Sequence, residues 1–175
     1  LFAEVAGDVA FALYSIELET DKNTAISKLK KAEEKYRTIY ENALEGIYQS
    51  RPEGTYISVN PAFASILGYD SPADLISSIT NSGKQLYAMP EDRVKLKEIL
   101  KNKKVVKNFE TQARRKDGSI IWVSIDAALI EDEHNKQSYY QGAMIDINSR
   151  KKAEEDILMN DERMQTLLDI LQYQY

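Results

Sequence analysis

Two apolar patterns, one near each end of the chain, limit the possible folds more than any other feature. Each repeats at alternating intervals of four and three residues. The first consists of Ala25, Leu29, Ala32, Tyr36, Ile39 and Ala43. The second consists of Ala153, Ile157, Asn160, Met164, Leu167 and Leu171. Such spacing forms a narrow apolar stripe along one side of a helix, which is typical of helices that pair with another helix.

We therefore predict a homodimer in which both helices pair in parallel with those of a second copy. The predicted dimer seam consists of Leu29, Ala32, Tyr36, Ile39, Ala153, Ile157, Met164 and Leu167. The alternative is that both helices pack against their own domain. Pairing is favoured because each stripe is longer than the part of a small sheet that it could cover.

Composition excludes several classes of site. The 175 residues carry a net charge of −5 and contain no cysteine, and His134 is the only histidine. Disulfides, cysteine nucleophiles and Cys/His zinc sites are therefore excluded, and we expect no metal. His134 lies in a polar segment and is expected to be a solvated loop residue. The seven glycines are too far apart for the glycine-rich loops that bind phosphate.

Hydropathy and charge give expectations about location and partners. No apolar run approaches the roughly 18 residues of a membrane span, and no basic leader precedes Leu1. We therefore expect a cytoplasmic segment of a longer protein, without membrane insertion. A lysine-rich stretch from Lys95 to Lys107 is interpreted as a solvated surface. With an acidic net charge, nucleic acid is not expected as a partner.

The middle of the chain predicts an α+β fold. Helix starts are indicated by Asn60-Pro61, Ser71-Pro72 and Pro90, because Asn and Ser cap helices and Pro suits the first turn. Five predicted strands run over Ile47–Ser50, Thr55–Val59, Val105–Arg115, Ser119–Ile130 and Ser138–Ile147. We expect a five-stranded antiparallel sheet with the short helices on one face, flanked by the two long helices.

Alternation within the fourth strand assigns its faces. The apolar residues of one face are Ile121, Val123, Ile125, Ala127 and Leu129. Successive side chains of a strand point to opposite faces, so this face is predicted to lie against the core. Trp122 is predicted on the opposite face, where a packed helix could cover it.

Several short motifs, in their order and spacing, resemble the PAS domain family. They are Val59-Asn60-Pro61-Ala62-Phe63 with Leu67-Gly68-Tyr69, Pro90-Glu91-Asp92-Arg93, Arg115-Lys116-Asp117-Gly118-Ser119, Trp122-Val123 and Asp146-Ile147. The resemblance covers about Tyr36 to Glu155 and implies the PAS fold. It divides the chain into an N-terminal linker helix (1–35), a PAS domain (36–148) and a C-terminal linker helix (149–175).

The resemblance also carries expectations about the ends of the domain. Asn148 stands where the family usually has threonine, and it is expected to cap the exit helix. The predicted signal junction consists of Trp122, Asp146, Ile147 and Asn148. The segment 1–19 resembles the last helix of a GAF domain, and 161–175 resembles the opening helix of another sensory domain.

The resemblance implies a sensory or relay module of a signalling protein, with a sensor histidine kinase as the expected parent. The alternative is a small-molecule receptor domain of a diguanylate cyclase or another output protein. We expect no enzymatic activity in this segment, because no nucleophile, base and oxyanion donor come together.

A cleft between helices and sheet could hold a small apolar ligand. Its candidate lining is Phe63, Ile66, Leu67, Tyr87, Met89, Leu96, Leu100, Phe109, Ile121 and Ile125. The alternative, which we favour, is that these residues simply form the core. No cofactor is expected. The resemblance disfavours haem, because haem-binding members of the family carry an axial histidine on the long helix and Val94–Leu100 has none. A cysteinyl-flavin adduct is disfavoured because there is no cysteine.

Overall fold

The described residues of this chain form a long helix and a unit of helices and antiparallel strands. The computed structural model describes residues 2–132 and 137–172, with the side chains of 13–131 and 137–170. Internal contacts divide it into one unit ending at Asn42 and a second beginning at Ala43. His134, predicted to be a solvated loop residue, lies outside the described residues.

The first unit is helix α1, Phe2–Asn42. It continues without interruption through the polar residues 20–24, which include no Gly or Pro to break a helix. There the Thr20 Oγ1 donates a hydrogen bond to the Ile16 carbonyl at 2.8 Å, within the helix itself. Helix α1 ends seven residues after the predicted linker end at residue 35, so Ala43 of the first apolar stripe lies beyond it.

The second unit contains the expected sheet. Its elements are β1 Gly46–Ser50, β2 Tyr56–Val59, α2 Pro61–Ile66, α3 Pro72–Ser78, α4 Ser82–Gln85, α5 Pro90–Lys103, β3 Val105–Arg114, β4 Ile120–Asp132, β5 Gln137–Asp146 and α6 Asn148–Gln172. The strand order is β2-β1-β5-β4-β3, and neighbouring strands are antiparallel. The predicted five-stranded antiparallel sheet is confirmed. Helix α4 was not predicted, since its four residues are too few to show a helical period and include Gly83.

Helix caps fix where the short helices begin. The buried Asn60 side chain accepts hydrogen bonds from the backbone N–H groups of Phe63 and Ile47, each at 2.9 Å. The Nδ2 of Asn60 donates to the Glu45 carbonyl at 2.9 Å. One amide therefore caps α2 and ties it to β1, as its position before a proline predicted.

The core lies against the predicted face of β4. Ile121, Val123, Ile125 and Ala127 are all buried. They pack in one apolar cluster with side chains of the helices, which are Phe63, Ala64, Leu67, Leu75, Leu96 and Leu100. Trp122 points to the other face and is half-buried. The face assignment of β4 is confirmed.

None of the helices over residues 2–132 and 137–172 is both long enough and apolar enough to cross a membrane.

Gly142→Ala is expected to destabilise the fold. A Cβ at this position of β5 would lie 2.2 Å from the Asp126 carbonyl oxygen and 2.9 Å from the Tyr48 hydroxyl. Overpacking of this kind costs about 1–3 kcal/mol, and we expect the upper end because the first neighbour is backbone. Urea unfolding followed by circular dichroism measures the loss.

Gly118→Asn is the control, since a Cβ at Gly118 meets nothing within 4 Å and Asn tolerates its φ of +85°. It should lose less than about 1 kcal/mol. A Gly142→Ala protein as stable as the parent would show that the close approach does not exist.

Candidate functional site: the helix junction and the core

The junction between β5 and α6 is held by backbone hydrogen bonds to β4. The Ile147 N–H donates to the Trp122 carbonyl at 2.9 Å, and the Ile147 side chain is buried. The Lys151 N–H in turn donates to the Ile147 carbonyl at 2.9 Å, which closes the first turn of α6. The start of α6 is therefore fixed to the middle of the sheet.

The predicted role of Asn148 as the cap of this helix is wrong. Asn148 is the first residue of α6, whereas a cap residue precedes the first helical residue. Its Oδ1 instead accepts from the Trp122 N–H at 3.4 Å. The Asp146 Oδ1 accepts from the Asn148 N–H at 2.8 Å. The junction residues Trp122, Asp146, Ile147 and Asn148 thus do meet, but Asn148 does not cap the helix.

Arg115 links the junction to helix α2. Its Nε donates to the Ile66 carbonyl at 2.9 Å, and its Nη2 forms an ion pair with the Asp146 Oδ2 at 3.1 Å. The next residue, Lys116, donates its N–H to the Leu67 carbonyl at 2.9 Å. Ile66 and Leu67 belong to the predicted cleft lining. A single side chain therefore contacts both the end of α2 and Asp146.

A second connection joins strand β3 to the first turn of α6. The Glu110 carboxylate pairs with Arg150 Nη2 at 2.7 Å and with Lys151 Nζ at 2.6 Å. The hydrogen bonds from Lys151 and Arg150 lower the pKa of Glu110 below its ordinary value. The Lys151 ammonium also lies 5.4 Å from the centre of the Trp122 ring. This cation–π contact covers the ring from the side where a helix was predicted.

Most of the predicted cleft residues lie together in the core. The buried ones are Phe63, Leu67, Tyr87, Leu96, Leu100, Ile121 and Ile125. Ile66 and Phe109 are partly buried and pack against them. The placement of Met89 in this lining is wrong, because its residue is 56% exposed. Met89 occupies the extended cap position before Pro90, at the start of α5.

Arg93 is a buried residue that the sequence did not predict in the core. It is only 8% exposed, and its guanidinium carbon lies 5.7 Å from the Tyr87 ring centre and 5.3 Å from the Tyr140 ring centre. Its spacing of three and seven residues from Leu96 and Leu100 puts it on the buried face of α5. That spacing is a signal that could have identified it.

Buried tyrosines surround the same region. Tyr48 and Tyr56 pack with Phe63, at ring-centre distances of 5.1 Å for Tyr48–Phe63 and 5.2 Å for Tyr56–Phe63. Burial raises the pKa of Tyr48, Tyr56 and Tyr87 above the ordinary tyrosine value. The Arg93 guanidinium opposes this rise at Tyr87. These phenols therefore stay protonated and supply neutral polar groups to the core.

A groove opens beside this cluster. Its volume is about 340 Å³, and it is lined by Pro52, Val94, Lys97, Glu98, Lys101, Leu129, Ser138 and Tyr140. Tyr140 therefore lies both at the groove and beside Arg93. Within the described part of the chain, no three His, Cys, Asp or Glu side chains are grouped so that they could hold a metal ion.

The predicted seam residues are exposed within the single chain. Leu29 is 71% exposed and Tyr36 65% on α1, and Ile157 is 63% exposed and Leu167 57% on α6. Ala32, Ile39, Ala153 and Met164 are exposed as well. Pairing with a second copy stays a prediction.

Comparison with known proteins identifies the α/β unit. A family model described as PAS domain matches residues 44–149. Sporulation kinase C of Bacillus subtilis is 27% identical over 153 residues, which cover 82% of this chain and 35% of that protein. The methyl sulfide methyltransferase-associated sensor of Methanosarcina acetivorans is 28% identical over 149 residues, covering 83% of this chain and 14% of that protein. The chain thus spans about a third of the first relative and less of the second.

A solved structure has the same fold. The PAS domain of a two-component sensor histidine kinase superposes with a TM-score of 0.54 at 20% identity, covering 69% of this chain and 98% of that domain. The GAF-like character of the flanking segments stays a prediction.

Glu110→Gln is expected to remove a pH-dependent part of the stability. Because the folded protein lowers the pKa of Glu110, its ion pairs stabilise the fold above the ordinary glutamate value of 4.5. This contribution is lost as the pH falls through the lowered pKa. The parent should therefore be more stable than the variant near pH 7, and the difference should shrink below pH 4.5. Urea unfolding at a series of pH values measures it, and a difference that grows at low pH would contradict the assignment.

Proposed function

The chain belongs to the PAS domain family, and from that premise we propose that it relays signals within a sensor histidine kinase through paired flanking helices. A PAS domain is a sensory module and is not itself catalytic. The histidine kinase is proposed as the output because one of the relatives described above is a kinase and the superposed domain comes from a sensor histidine kinase. The kinase activity would reside outside these residues.

The observation that carries the proposal is the bridge formed by Arg115. One guanidinium contacts both the Ile66 carbonyl at the end of α2 and the Asp146 carboxylate at the end of β5, two residues before the exit helix begins. The end of α2 and the segment that leads into α6 therefore share a charged connection. A charge-assisted hydrogen bond has a defined geometry, so a shift of α2 changes the position of Asp146.

The relay requires two states of the domain that hold α6 differently. A stimulus, whether a ligand or a neighbouring domain, shifts the balance only if it binds the two states with different affinity. The bonds from Glu110, Arg115 and Trp122 to the start of α6 define one of these states. We propose that the second state breaks or rearranges them, and that α6 turns or shifts as a result.

The exposed seam supports a dimer as the form that transmits the shift. Contiguous apolar surface is uncommon on monomers and marks interaction sites. A helix with a narrow apolar stripe is stabilised by a partner helix, and two such helices couple their rotation. A second copy of the chain offers an identical stripe.

Ile157→Asp is expected to dissociate the dimer, because it places a charge in the apolar seam. The parent chain should sediment as a dimer at tens of micromolar, and the variant as a monomer. Leu158→Asp is the matched control: Leu158 is the adjacent residue of α6, is 60% exposed, and lies outside the spacing of the seam. It should remain dimeric.

Sedimentation equilibrium decides between the outcomes. A monomeric parent chain at tens of micromolar would remove the proposed pairing. Equal dissociation by Ile157→Asp and Leu158→Asp would show that α6 pairs through a different face.

Arg115→Gln is expected to loosen the start of α6. The variant loses the ion pair with Asp146, so the amides of the first turn, including that of Lys151, should exchange with solvent several-fold faster. Arg114→Gln changes the neighbouring exposed arginine and should leave these rates unchanged. Hydrogen exchange followed by NMR measures both, and unchanged exchange in Arg115→Gln would contradict the bridge.

A further inference from the structure

We propose that Arg93 is the receptor for a small organic carboxylate, which binds beside Tyr140 and reaches the groove next to it. The inference rests on the proposed sensory function and deepens it, because it names the class of ligand that would bind in the core and change the state of the domain. It begins from one unusual group. The Nη2 of Arg93 is buried and has no hydrogen-bond partner among the described residues.

A buried guanidinium without an anion is costly. Arginine stays charged in proteins, and a buried charge is ordinarily paired with an opposite charge. No ion pair within 2–132 and 137–172 involves Arg93. The adjacent carboxylate, Asp92, is used elsewhere: it accepts from Thr111 Oγ1 at 2.8 Å and from Lys95 Nζ at 3.1 Å.

The tyrosines compensate for the charge only in part. Tyr87 and Tyr140 both lie within cation–π distance of the guanidinium. The Tyr87 hydroxyl also accepts a hydrogen bond from the Arg93 side chain, but Nη2 is still left without a partner. Neither an aromatic face nor one phenol oxygen offers paired oxygens to the N–H groups in the plane of the guanidinium. A carboxylate matches that planar fork with two parallel hydrogen bonds. The partner that the Arg93 guanidinium lacks is therefore a carboxylate.

The groove beside Tyr140 defines the rest of the ligand. Val94 and Leu129 provide apolar walls, and the two lysines of the lining, Lys97 and Lys101, outnumber its one carboxylate, Glu98. Its volume of about 340 Å³ suits a small apolar body attached to one carboxylate. Tyr140 lines the groove and also contacts the Arg93 guanidinium, so a carboxylate bound in the groove would reach Nη2 past the Tyr140 side chain.

Strand β3 connects this site to the junction between β5 and α6. Asp92, next to Arg93, is hydrogen-bonded to Thr111 on β3. Thr111 follows Glu110, which pairs with Arg150 and Lys151 at the start of α6. A displacement of the first turn of α5 would therefore pass first from Asp92 to Thr111 on β3, and then from the neighbouring Glu110 to the first turn of α6. This gives a bound carboxylate a route to the proposed relay.

The test uses acetate, butyrate and benzoate as probes, with benzamide as the uncharged match of benzoate, all at constant ionic strength. The Arg93 Nε–H resonance of the parent chain reports binding by NMR. We expect a saturable shift with at least one carboxylate, and for benzoate an affinity at least tenfold above that of benzamide. The readout needs no variant, so it holds even if substitution of Arg93 impairs folding.

Two variants localise the site. Arg93→Gln should abolish the response of the Tyr140 resonances, whereas Arg114→Gln, at an exposed arginine, should retain it. The proposal is overturned if no carboxylate gives a saturable shift, if benzoate and benzamide act alike, or if Arg93→Gln responds as the parent does. A chain that sediments as a dimer but binds no carboxylate overturns this inference alone and leaves the relay intact.

Discussion

The contact on which the functional account depends is that of the Arg115 guanidinium with the Ile66 carbonyl and the Asp146 carboxylate. It is possible only because the hairpin between β3 and β4 lies beside both the end of α2 and the end of β5. The backbone bond from Lys116 to the Leu67 carbonyl holds the hairpin there. Since both side chains of the Arg115–Asp146 ion pair are about one-third exposed, the pair contributes little to stability. Its proposed role is to hold the end of α2 and the end of β5 in one relative position.

Polar groups with defined partners position the rest of the second unit. Asn60 ties α2 to β1, and Asp92 ties α5 to β3 through Thr111. The apolar core supplies most of the stability but accepts small shifts, whereas each of these bonds specifies one arrangement. Helices α2 and α5 are thus connected to the sheet by a few hydrogen bonds. We propose that these bonds break when the domain changes from one state to the other.

Much of the fold could be predicted from local rules. The alternation of β4 identified its buried face, and Asn60 and Ser71 before prolines located the starts of α2 and α3. What could not be predicted depends on tertiary geometry. Asn148 turned toward Trp122 because the helix begins one residue earlier than a cap would allow.

Among the candidate site residues, Met89 was misplaced because apolar character alone does not reveal that a residue before Pro90 points outward. Arg93 was missed for the converse reason: a charged residue is ordinarily expected on the surface, although its spacing from Leu96 and Leu100 places it on the buried face of α5.

The central claim is that a second copy pairs along α6 and that Arg115 sets the position of that helix. The absence of cysteine allows one spin label to be attached through Glu162→Cys, at an exposed position of α6. Pulsed electron paramagnetic resonance then measures the distance between the labels of two copies. The account predicts one narrow distance distribution that shifts or broadens when Arg115→Gln is added. Labels without dipolar coupling, or identical distributions in both proteins, would contradict it.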